Sequence, residues 1–362
     1  LHPRVRRQRQ MCIRDRNKWK KRIHYVLKAA KHFGDEPYMD FFLEREVNPL
    51  LLEFKQNGSG VPDKKVMLIR ENGNGWGFFA EVRAMLAKMV FAERFGLTPY
   101  IEWGSAFLYT EKQLVNGTHN AFEYYFKQPN GMTKQDVLES SYVTESKSAQ
   151  GVVIEREFKR DTYEMTAEYQ SRLAEMYRKY IRLNEKTEKM IQNDLKDIFD
   201  NSKVLGVHFR GTDYKAGYQN HPVAVQIEQT ITQVKKSLEK NIFQKIFLAT
   251  DEKNAVERFE KEFPGKVFYF QDVYRGEGNT SVAFSQSDRP NHHYRLGYEV
   301  LRDMYALAAC DGLVAGLSQV VNCARIVKES SGEEYDTLCI INNGINTVSY
   351  THLRAHETRS NL

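Results

Sequence analysis

Polar residues at the end of one predicted strand point to phosphate binding. The segment LGVHFRGTDY places His208 and Arg210 two residues apart, so both side chains face the same side of the strand. Gly211 then allows a sharp turn, and Thr212 and Asp213 follow it. The planar fork of an arginine donates two parallel hydrogen bonds to a phosphate. An arginine–aspartate salt bridge that only holds the loop in place is the alternative interpretation.

A second apolar strand also ends in a carboxylate. The segment IFLATD places Asp251 after the strand and directly before a predicted helix. This carboxylate could accept hydrogen bonds from the ribose or base of a nucleotide. It could instead cap the helix that begins near Glu252, and the sequence leaves both interpretations open.

The segment 301–327 contains a third candidate site. Asp303 lies on an otherwise apolar helix, and a short strand, GLVAG, follows it. Ser318, Gln319 and Val320 then begin another helix, whose free backbone N–H groups and positive dipole end attract anions. An ordinary serine N-cap would explain these residues without a ligand.

A glycine-rich turn joins an earlier strand to its helix. RENGNGWGFFAEVR has the spacing G-x-G at Gly73 and Gly75, but Gly77 follows too soon for the dinucleotide motif, and the lysine of a P-loop is missing. Gly75 and Gly77 could let the backbone approach a sugar or phosphate closely. They could equally allow close packing of the helix against the strand.

Several metal and nucleophile motifs are absent from the sequence. It contains no Asp-x-Asp, HExxH, GxSxG or paired CxxC, so we predict no metal site and no cofactor. The adjacent His292 and His293 are too close in sequence to converge on one metal, and we interpret them as residues that are solvated or that order a loop.

The elements that position these residues alternate between strand and helix. We predict strands at 66–70, 98–103, 203–211, 245–251, 266–270 and 312–316, and helices at 18–54, 78–95, 166–199, 223–240, 252–263, 296–310 and 319–329. Such alternation is typical of an α/β fold, here with two Rossmann-like domains facing each other across a cleft. Ligands of such sheets bind at the carboxyl ends of the strands. Residues 105–160 are polar and tyrosine-rich, and there we predict only loops and short elements.

The length of 362 residues suggests roughly two domains, at about 150 residues each. Both ends resemble translated adaptor sequence and lack amphipathic periodicity, so we expect them to be foreign to the fold. The expected parts are non-native tails at 1–16 and 348–362, a helical segment at 17–64, an acceptor domain at 65–198 and a nucleotide-sugar domain at 199–347.

Charge and composition exclude several protein classes. Residues 1–22 hold ten arginines and lysines and one aspartate, a local charge of +9, whereas the whole chain carries +6. The other 340 residues therefore carry −3, which does not fit a nucleic-acid-binding face. No segment approaches the roughly 20 apolar residues of a membrane span. Four cysteines without a paired framework indicate free thiols and a cytoplasmic location.

Three motifs in fixed order give the sequence a family resemblance. H-x-R-G-T-D, a strand ending in ATD and the block LRDMYAL…CDGLVAGLSQV resemble the GDP-fucose-dependent fucosyltransferases, a superfamily that spans α1,2-, α1,6- and protein O-fucosyltransferases and includes the bacterial nodulation enzymes. The resemblance covers about 200–330 and extends more loosely over 66–103. It implies a GT-B glycosyltransferase that is metal-independent and inverting, with a GDP-sugar as donor and a glycan or other hydroxyl compound as acceptor.

The resemblance also implies roles for individual residues. Arg210 would bind the β-phosphate of GDP-fucose, while His208 and Asp303 would contact the guanine side. Asp251 would lie near the nucleoside. The backbone of the segment that begins at Ser318, including Gln319 and Val320, would donate hydrogen bonds to the diphosphate.

The sequence departs from the α1,6 branch at four places. Gly211 stands where that branch has a second arginine, Tyr214 where it has a lysine, and Tyr218 where it has the carboxylate that resembles a general base. The family's arginine after Val320 is missing, since Arg325 comes several residues later. The general base is therefore unassigned.

Three hypotheses remain open from the sequence. For fucosyl transfer, Asp213 and His221 are the nearest polar candidates for the missing base. A non-catalytic homologue that binds a nucleotide sugar or glycan is the first alternative. An NAD-dependent oxidoreductase, built on GNGWG and Glu102, is the second, although its glycine spacing is wrong.

Overall fold

The chain divides into two compact units, Leu1–Phe54 and Lys55–Leu362. A computed structural model describes residues 20, 23–24, 26–28, 30–31, 54–55, 61–73, 75–158, 163–196, 198–199, 202–218, 220–239, 242–276, 278 and 281–346. In the first unit the described residues between Lys20 and Lys31 are helical, as predicted, and Ile23, Val26 and Leu27 are exposed. Phe54, the last residue of the predicted helix, lies instead in a strand, so that end of the prediction is wrong. The predicted tails lie outside the described residues, and the predicted domain boundaries stay predictions.

The first half of the second unit is built around a parallel sheet. Its elements, which follow a two-residue strand β1 (Phe54–Lys55) at the boundary between the units, are β2 (Val61–Arg70), α1 (Phe78–Arg94), β3 (Thr98–Glu102), α2 (Lys134–Glu139), β4 (Ser140–Glu145) and α3 (Ser148–Glu157). β2 lies between β4 and β3 and is parallel to both. β2, α1 and β3 form the predicted βαβ unit, whereas β4 was not predicted.

Two helices lead from the first half to the second. They are α4 (Ala167–Tyr180) and α5 (Glu185–Lys196), so the prediction of one helix over 166–199 is wrong. The break has a local cause at Asn184, whose side-chain oxygen accepts a hydrogen bond from the N–H of Thr187, in the manner of an N-cap. Its amide also donates to the carbonyl oxygens of Glu123 and Tyr124, which ties the new helix start to the first half.

The second half contains a larger parallel sheet. Its elements are β5 (Val204–Phe209), α6 (Ile227–Leu238), β6 (Lys245–Thr250), α7 (Lys253–Glu262), β7 (Val267–Phe268), α8 (His292–Ala309), β8 (Gly312–Gly316), α9 (Gln319–Ser330) and β9 (Thr337–Ile341). The strand order is β7-β6-β5-β8-β9, with every pair parallel. All six residues of β5 are buried, which explains why all of them except His208 are apolar or glycine. β9 was not predicted.

Residues 105–133 form turns around an aromatic core. Phe78, at the start of α1, lies within 6.4 Å ring-centroid distance of six other aromatic rings. One of them, Tyr125, donates a hydrogen bond from its hydroxyl to the carbonyl oxygen of Tyr294 on α8, at 2.9 Å. Gly297 leaves the space that this ring occupies, since a Cβ there would collide with the Tyr125 side chain. The first half is thereby packed directly onto the second.

These observations confirm the predicted fold class. The protein is α/β, with two parallel sheets and a cleft between the halves that they form. Within the described part of the chain, no helix combines the length and apolar character needed to cross a membrane. Among those residues there is also no group of three or more histidine, cysteine or acidic side chains placed to hold a metal ion.

Candidate active site

A cleft of about 580 Å³ lies between the two halves. One side, the N-terminal wall, is formed by the glycine-rich turn, α1 and α3, and includes Gly75, Trp76, Arg83, Lys88 and Glu155. The other side, the C-terminal wall, is formed at the carboxyl ends of β5, β6 and β8 together with α8. Ten residues predicted for the site line the cleft: Gly75, Gly77, His208, Arg210, His221, Asp251, Asp303, Ser318, Gln319 and Val320.

Asp251 fixes the turn that follows β5. Its two carboxylate oxygens accept hydrogen bonds from the backbone N–H of Gly211, at 2.9 Å, and from the hydroxyl of Thr212, at 2.7 Å. The N-cap of α7 is Glu252 rather than Asp251, so the capping interpretation is wrong. Gly211 and Thr212 are not among the residues that line the cleft, and their visible role is to bind this carboxylate.

Arg210 extends into the cleft directly after β5. Its Nε lies 3.8 Å from an oxygen of Asp251, its guanidinium carbon is 5.4 Å from the centre of the Tyr214 ring, and a terminal nitrogen is 3.4 Å from the Ser281 hydroxyl. The side chain is about a quarter exposed, at 26%. These contacts hold the guanidinium over the cleft while leaving part of it accessible to a ligand.

His208 lies beside Arg210, on the same side of the sheet, and is buried. Burial, together with the positive charge of Arg210, lowers the pKa of His208 to about 4, although Asp251 acts in the opposite direction. The ring is therefore neutral near pH 7, with one nitrogen able to donate a hydrogen bond and the other able to accept one.

The N-terminus of α9 presents backbone donors to the cleft. The hydroxyl of Ser318 accepts a hydrogen bond from the N–H of Val321, at 3.2 Å, so the predicted N-cap is present. The first N–H groups of a helix have no carbonyl partner within the helix, and here they belong to Gln319 and Val320, which line the cleft. The cap and an anion site are therefore compatible in this position.

Asp303 is a buried carboxylate facing the same cleft from α8. It is only 8% exposed, and none of the residues that the structure describes donates a hydrogen bond to it. Burial raises the pKa of Asp303 to about 7, against the lowering effect of Arg302 and Arg275. A buried carboxylate without a donor is costly, which makes it a candidate for binding a ligand that supplies N–H groups.

The two residues predicted as candidates for the base, His221 and Asp213, differ in what the structure describes of them. His221 lines the cleft and is half-buried, with its ring centre within 6.3 Å of the rings of Tyr163, Tyr214 and Tyr218. Asp213 begins a 3-10 helix, Asp213–Ala216, and its side chain lies outside the described residues. The roles of Asp213 and His221 as a base therefore stay predictions.

Two buried charged side chains of α1, Glu81 and Lys88, bind residues at the start of the glycine-rich turn. Gly75 has a φ of +92°, a conformation that favours glycine, and Gly77 is the N-cap of α1. The Glu81 carboxylate accepts hydrogen bonds from the backbone and the side chain of Asn72, at 2.8–3.0 Å. Lys88 donates to the carbonyl oxygen of Arg70, at 2.9 Å, and burial lowers its pKa to about 8.

Arg83 connects the two walls, a contact that was not predicted from the sequence. Nε of Arg83 donates a hydrogen bond to the side-chain oxygen of Gln319, at 2.9 Å, and a terminal nitrogen of Arg83 forms an ion pair with Glu155. Arg83 is only 5% exposed. The available signal was the occurrence of Glu81, Arg83 and Lys88 within the otherwise apolar helix FFAEVRAMLAKMVFA.

Aromatic side chains are exposed within the cleft. Trp76 is 40% exposed on the N-terminal wall, and Phe284, on the opposite side, is 51% exposed. His292, by contrast, lies outside the cleft lining. Its Nδ1 accepts a hydrogen bond from Arg289, and its Nε2 is 3.2 Å from the carbonyl oxygen of Ser285, which agrees with the predicted loop-ordering role.

The structure explains one of the four departures from the α1,6 pattern. A Cβ at position 211 would collide with the Glu252 side chain, which pairs with Lys215. A second arginine at Gly211 therefore cannot be accommodated unless Glu252 moves. Arg325 is not among the residues that line the cleft, so it does not replace the arginine missing after Val320.

The fold of this chain is similar to the folds of solved structures. No protein-family model and no curated protein match the chain, whereas 61 solved chains do. NodZ alpha-1,6-fucosyltransferase soaked with GDP-fucose is 18% identical over 73% of this chain and 93% of its own, with a TM-score of 0.43. POFUT1 in complex with GDP is 9% identical over 77% and 99%, with a TM-score of 0.48. POFUT1 in complex with GDP-fucose is 9% identical over 78% and 99%, with a TM-score of 0.47.

The solved structures thus include fucosyltransferases of the kind that the sequence motifs resemble. Their identities are 18% or less and their TM-scores stay below 0.5. We therefore base the function of this chain on the residues of its own cleft.

Proposed function

We propose that the protein transfers fucose from GDP-fucose to a hydroxyl group of a glycan or related acceptor, with inversion at C1 and without a metal ion. One observation supports this most strongly. Arg210 and the N-terminus of α9, at Ser318–Val320, line one cleft, although they follow different strands. A guanidinium and free backbone N–H groups converging on one space are the donors that a diphosphate requires.

The chemistry follows from where charge develops. As the bond between C1 of fucose and the β-phosphate oxygen breaks, negative charge accumulates on GDP. Arg210 and the backbone N–H groups of Gln319 and Val320 would stabilise that charge, and preorganised donors of this kind are worth about 3–4 kcal/mol each. Asp251 holds the turn beside Arg210, so this part of the site needs little rearrangement when the donor binds.

The guanine base would be recognised deeper on the C-terminal wall. Guanine presents adjacent N–H donors at N1 and N2, and Asp303 is a buried carboxylate that lacks a donor among the described residues. The neutral ring of His208 can supply one further donor or acceptor. Together, the carboxylate of Asp303 and the ring of His208 would favour guanine over a base that presents only acceptors at that edge.

The acceptor would bind along the N-terminal wall. Trp76 and Phe284 expose aromatic surface on opposite sides of the cleft, and pockets commonly use such side chains to contact the apolar faces of ligands. A sugar ring has such faces between its hydroxyl groups.

The free thiols of Cys310, Cys323 and Cys339 fit the cytoplasmic location expected from the sequence.

A non-catalytic protein that binds a nucleotide sugar or glycan is the second candidate. The observation in its favour is that Tyr218 occupies the position where the α1,6 branch has its carboxylate. Such a protein would bind GDP-fucose but would never release GDP from it.

Two measurements test the proposal. A thermal-shift comparison of GDP, GDP-fucose, GDP-mannose, UDP-sugars and NAD should show stabilisation by the guanine nucleotides, because a ligand bound to the folded state raises its stability by RT ln(1 + [L]/Kd). Release of GDP from GDP-fucose should follow. Stabilisation by NAD alone would contradict the proposal, and binding without GDP release would favour the non-catalytic alternative.

A further inference from the structure

The cleft contains a carboxylate on the wall opposite to Arg210. Four carboxylates line it in the described part of the chain: Glu155, Asp251, Glu299 and Asp303. Glu155 alone among these four comes from the first half, where it lies on α3. Its side chain is 20% exposed, so it is accessible from the cleft.

The other three carboxylates are engaged or placed on the C-terminal wall. Asp251 binds the turn after β5. Glu299 accepts hydrogen bonds from the guanidinium of Arg289 and from the backbone N–H of Tyr274. Asp303 lies deep on α8, on the same wall as Arg210. All three therefore lie on the same wall as Arg210 and the N-terminus of α9, the groups proposed to bind the diphosphate.

The position of Glu155 is fixed relative to the diphosphate position through Arg83. This guanidinium pairs with Glu155 and also donates to Gln319, the first residue of α9. The guanidinium of Arg83 therefore links the carboxylate of Glu155 to the N-terminus of α9. Transfer with inversion needs the leaving group on one face of C1 and the acceptor oxygen, with its base, on the other.

We infer that Glu155 is the general base of the fucosyl transfer, oriented by Arg83, an inference that rests on the proposed function. The acceptor oxygen forms its bond to C1 of fucose, and its proton passes to a carboxylate oxygen of Glu155. The bond between C1 and the β-phosphate oxygen breaks, and its electron pair leaves with GDP. The proton then passes from Glu155 to water.

The experiment uses water and azide as acceptors, so no natural acceptor is needed. Water must lose a proton when it attacks C1, whereas the azide ion carries none and needs no base. The variants are Glu155→Gln, whose amide oxygen can still accept a hydrogen bond from Arg83, and Glu157→Gln as the matched control. Glu157 also lies on α3 and pairs with an arginine of α1, Arg94, but it is not among the residues that line the cleft.

We expect Glu155→Gln to release GDP from GDP-fucose in water about 10²- to 10³-fold more slowly than the wild type. In sodium azide its GDP release should reach or exceed the wild-type rate, because the neutral amide no longer repels the anion, and the product should be fucosyl azide inverted at C1. The Kd for GDP-fucose should remain that of the wild type. Glu157→Gln should match the wild type in both reactions.

Three results would overturn the inference. If Glu155→Gln hydrolysed GDP-fucose at the wild-type rate, Glu155 would not be the proton acceptor. If the variant lost the water and azide reactions to the same extent, Glu155 would have a structural role. In both cases wild-type turnover would leave the proposed function standing. Wild-type protein that binds GDP-fucose but releases GDP with neither acceptor would end both the proposed function and this inference.

Discussion

The two walls of the cleft are built in different ways. The C-terminal wall places Arg210, Asp251 and the first N–H groups of α9 at the carboxyl ends of strands or at a helix N-terminus, where the backbone pattern largely fixes their positions. The N-terminal wall instead depends on charged side chains of α1, such as Arg83 and Lys88, that are buried and held by partners far away in the chain. A binding site can thus be encoded by local backbone pattern or by long-range side-chain pairing, and this protein uses one on each side.

Arg210→Ala, on the C-terminal wall, should have a large effect, similar in size to that expected for Glu155→Gln on the opposite wall. Removing the guanidinium should lower kcat for GDP release by about 10²- to 10³-fold, because a donor to the developing charge is lost. The melting temperature should change less than kcat, because the ion pair of Arg210 with Asp251 is long, at 3.8 Å, and its hydrogen bond to Ser281 is long too, at 3.4 Å. Arg258→Ala, which removes surface pairs with Glu228 and Glu262, is the control. Turnover near the wild-type rate would exclude Arg210 from the mechanism.

The second effect concerns the ionisation of Asp303, whose pKa burial raises to about 7. An unfolded aspartate has a pKa of about 3.9, so between these values the folded protein holds a proton that the unfolded chain has lost. The free energy of unfolding should therefore fall as the pH rises from about 4 to about 7. The affinity for GDP-fucose should rise over the upper part of this range, because N–H donors of guanine require the ionised carboxylate.

Asp303→Asn separates these two effects. The substitution should weaken binding of GDP-fucose about 10- to 100-fold at pH 8, as expected for the loss of charged hydrogen bonds worth about 1.5–3 kcal/mol. It should also abolish the pH dependence of that binding around pH 7, since the diphosphate of GDP-fucose, unlike that of GDP, has no proton that titrates there. Calorimetric titration with GDP-fucose at pH 6 and pH 8 measures both. Asp336→Asn, which removes a surface pair with Lys203, is the control. Unchanged affinity at pH 8 would show that Asp303 does not bind the base.

The third effect concerns the turn after β5. Gly211→Ala should lower the free energy of unfolding by about 1–3 kcal/mol, because its methyl group forces Glu252 away from the turn. Gly151→Ala on α3 is the control, since a Cβ there meets only ordinary contacts, at 3.9–4.0 Å, and alanine favours a helix by up to about 1 kcal/mol. Urea unfolding distinguishes the two variants, and equal stability would contradict the close packing of the turn.

The smallest effect should come from the N-terminal wall, with Arg83→Lys. A lysine keeps the charge but cannot hold Gln319 and Glu155 with one rigid fork. GDP release should fall about tenfold, roughly 1.4 kcal/mol, while the Kd for GDP-fucose changes little. Arg94→Lys, at the exposed end of the same helix, should leave both quantities unchanged. A loss confined to donor affinity would place Arg83 with the diphosphate ligands instead.

The difference between the walls also explains what the sequence could predict. Arg210, Asp251 and Ser318 follow apolar runs and His208 lies near the end of one, so strand patterning brings all four to one edge of a sheet. Even there, the sequence could not distinguish an Asp251 that caps a helix from one that binds the turn after another strand. That choice depends on the pairing of β5 with β6.

The N-terminal wall could not be predicted in the same way. Arg83 is separated from Glu155 by 72 residues and from Gln319 by 236 residues. No local periodicity encodes such pairs. The same limit explains the missed break between α4 and α5, where Asn184 binds carbonyl groups of residues about 60 positions earlier.

The thiol of Cys323 offers a way to time the separation of the two halves. It is 1% exposed on α9, and its Sγ lies 3.7 Å from the carbonyl oxygen of Phe79 on α1. Because burial raises its pKa to about 12, an alkylating reagent can reach a reactive thiolate only after these helices part. Cys310 is sealed within the second half, where its Sγ donates to the carbonyl oxygen of Ala306. The ratio of the two labelling rates, followed by mass spectrometry, would therefore report opening of the cleft separately from unfolding of the second sheet.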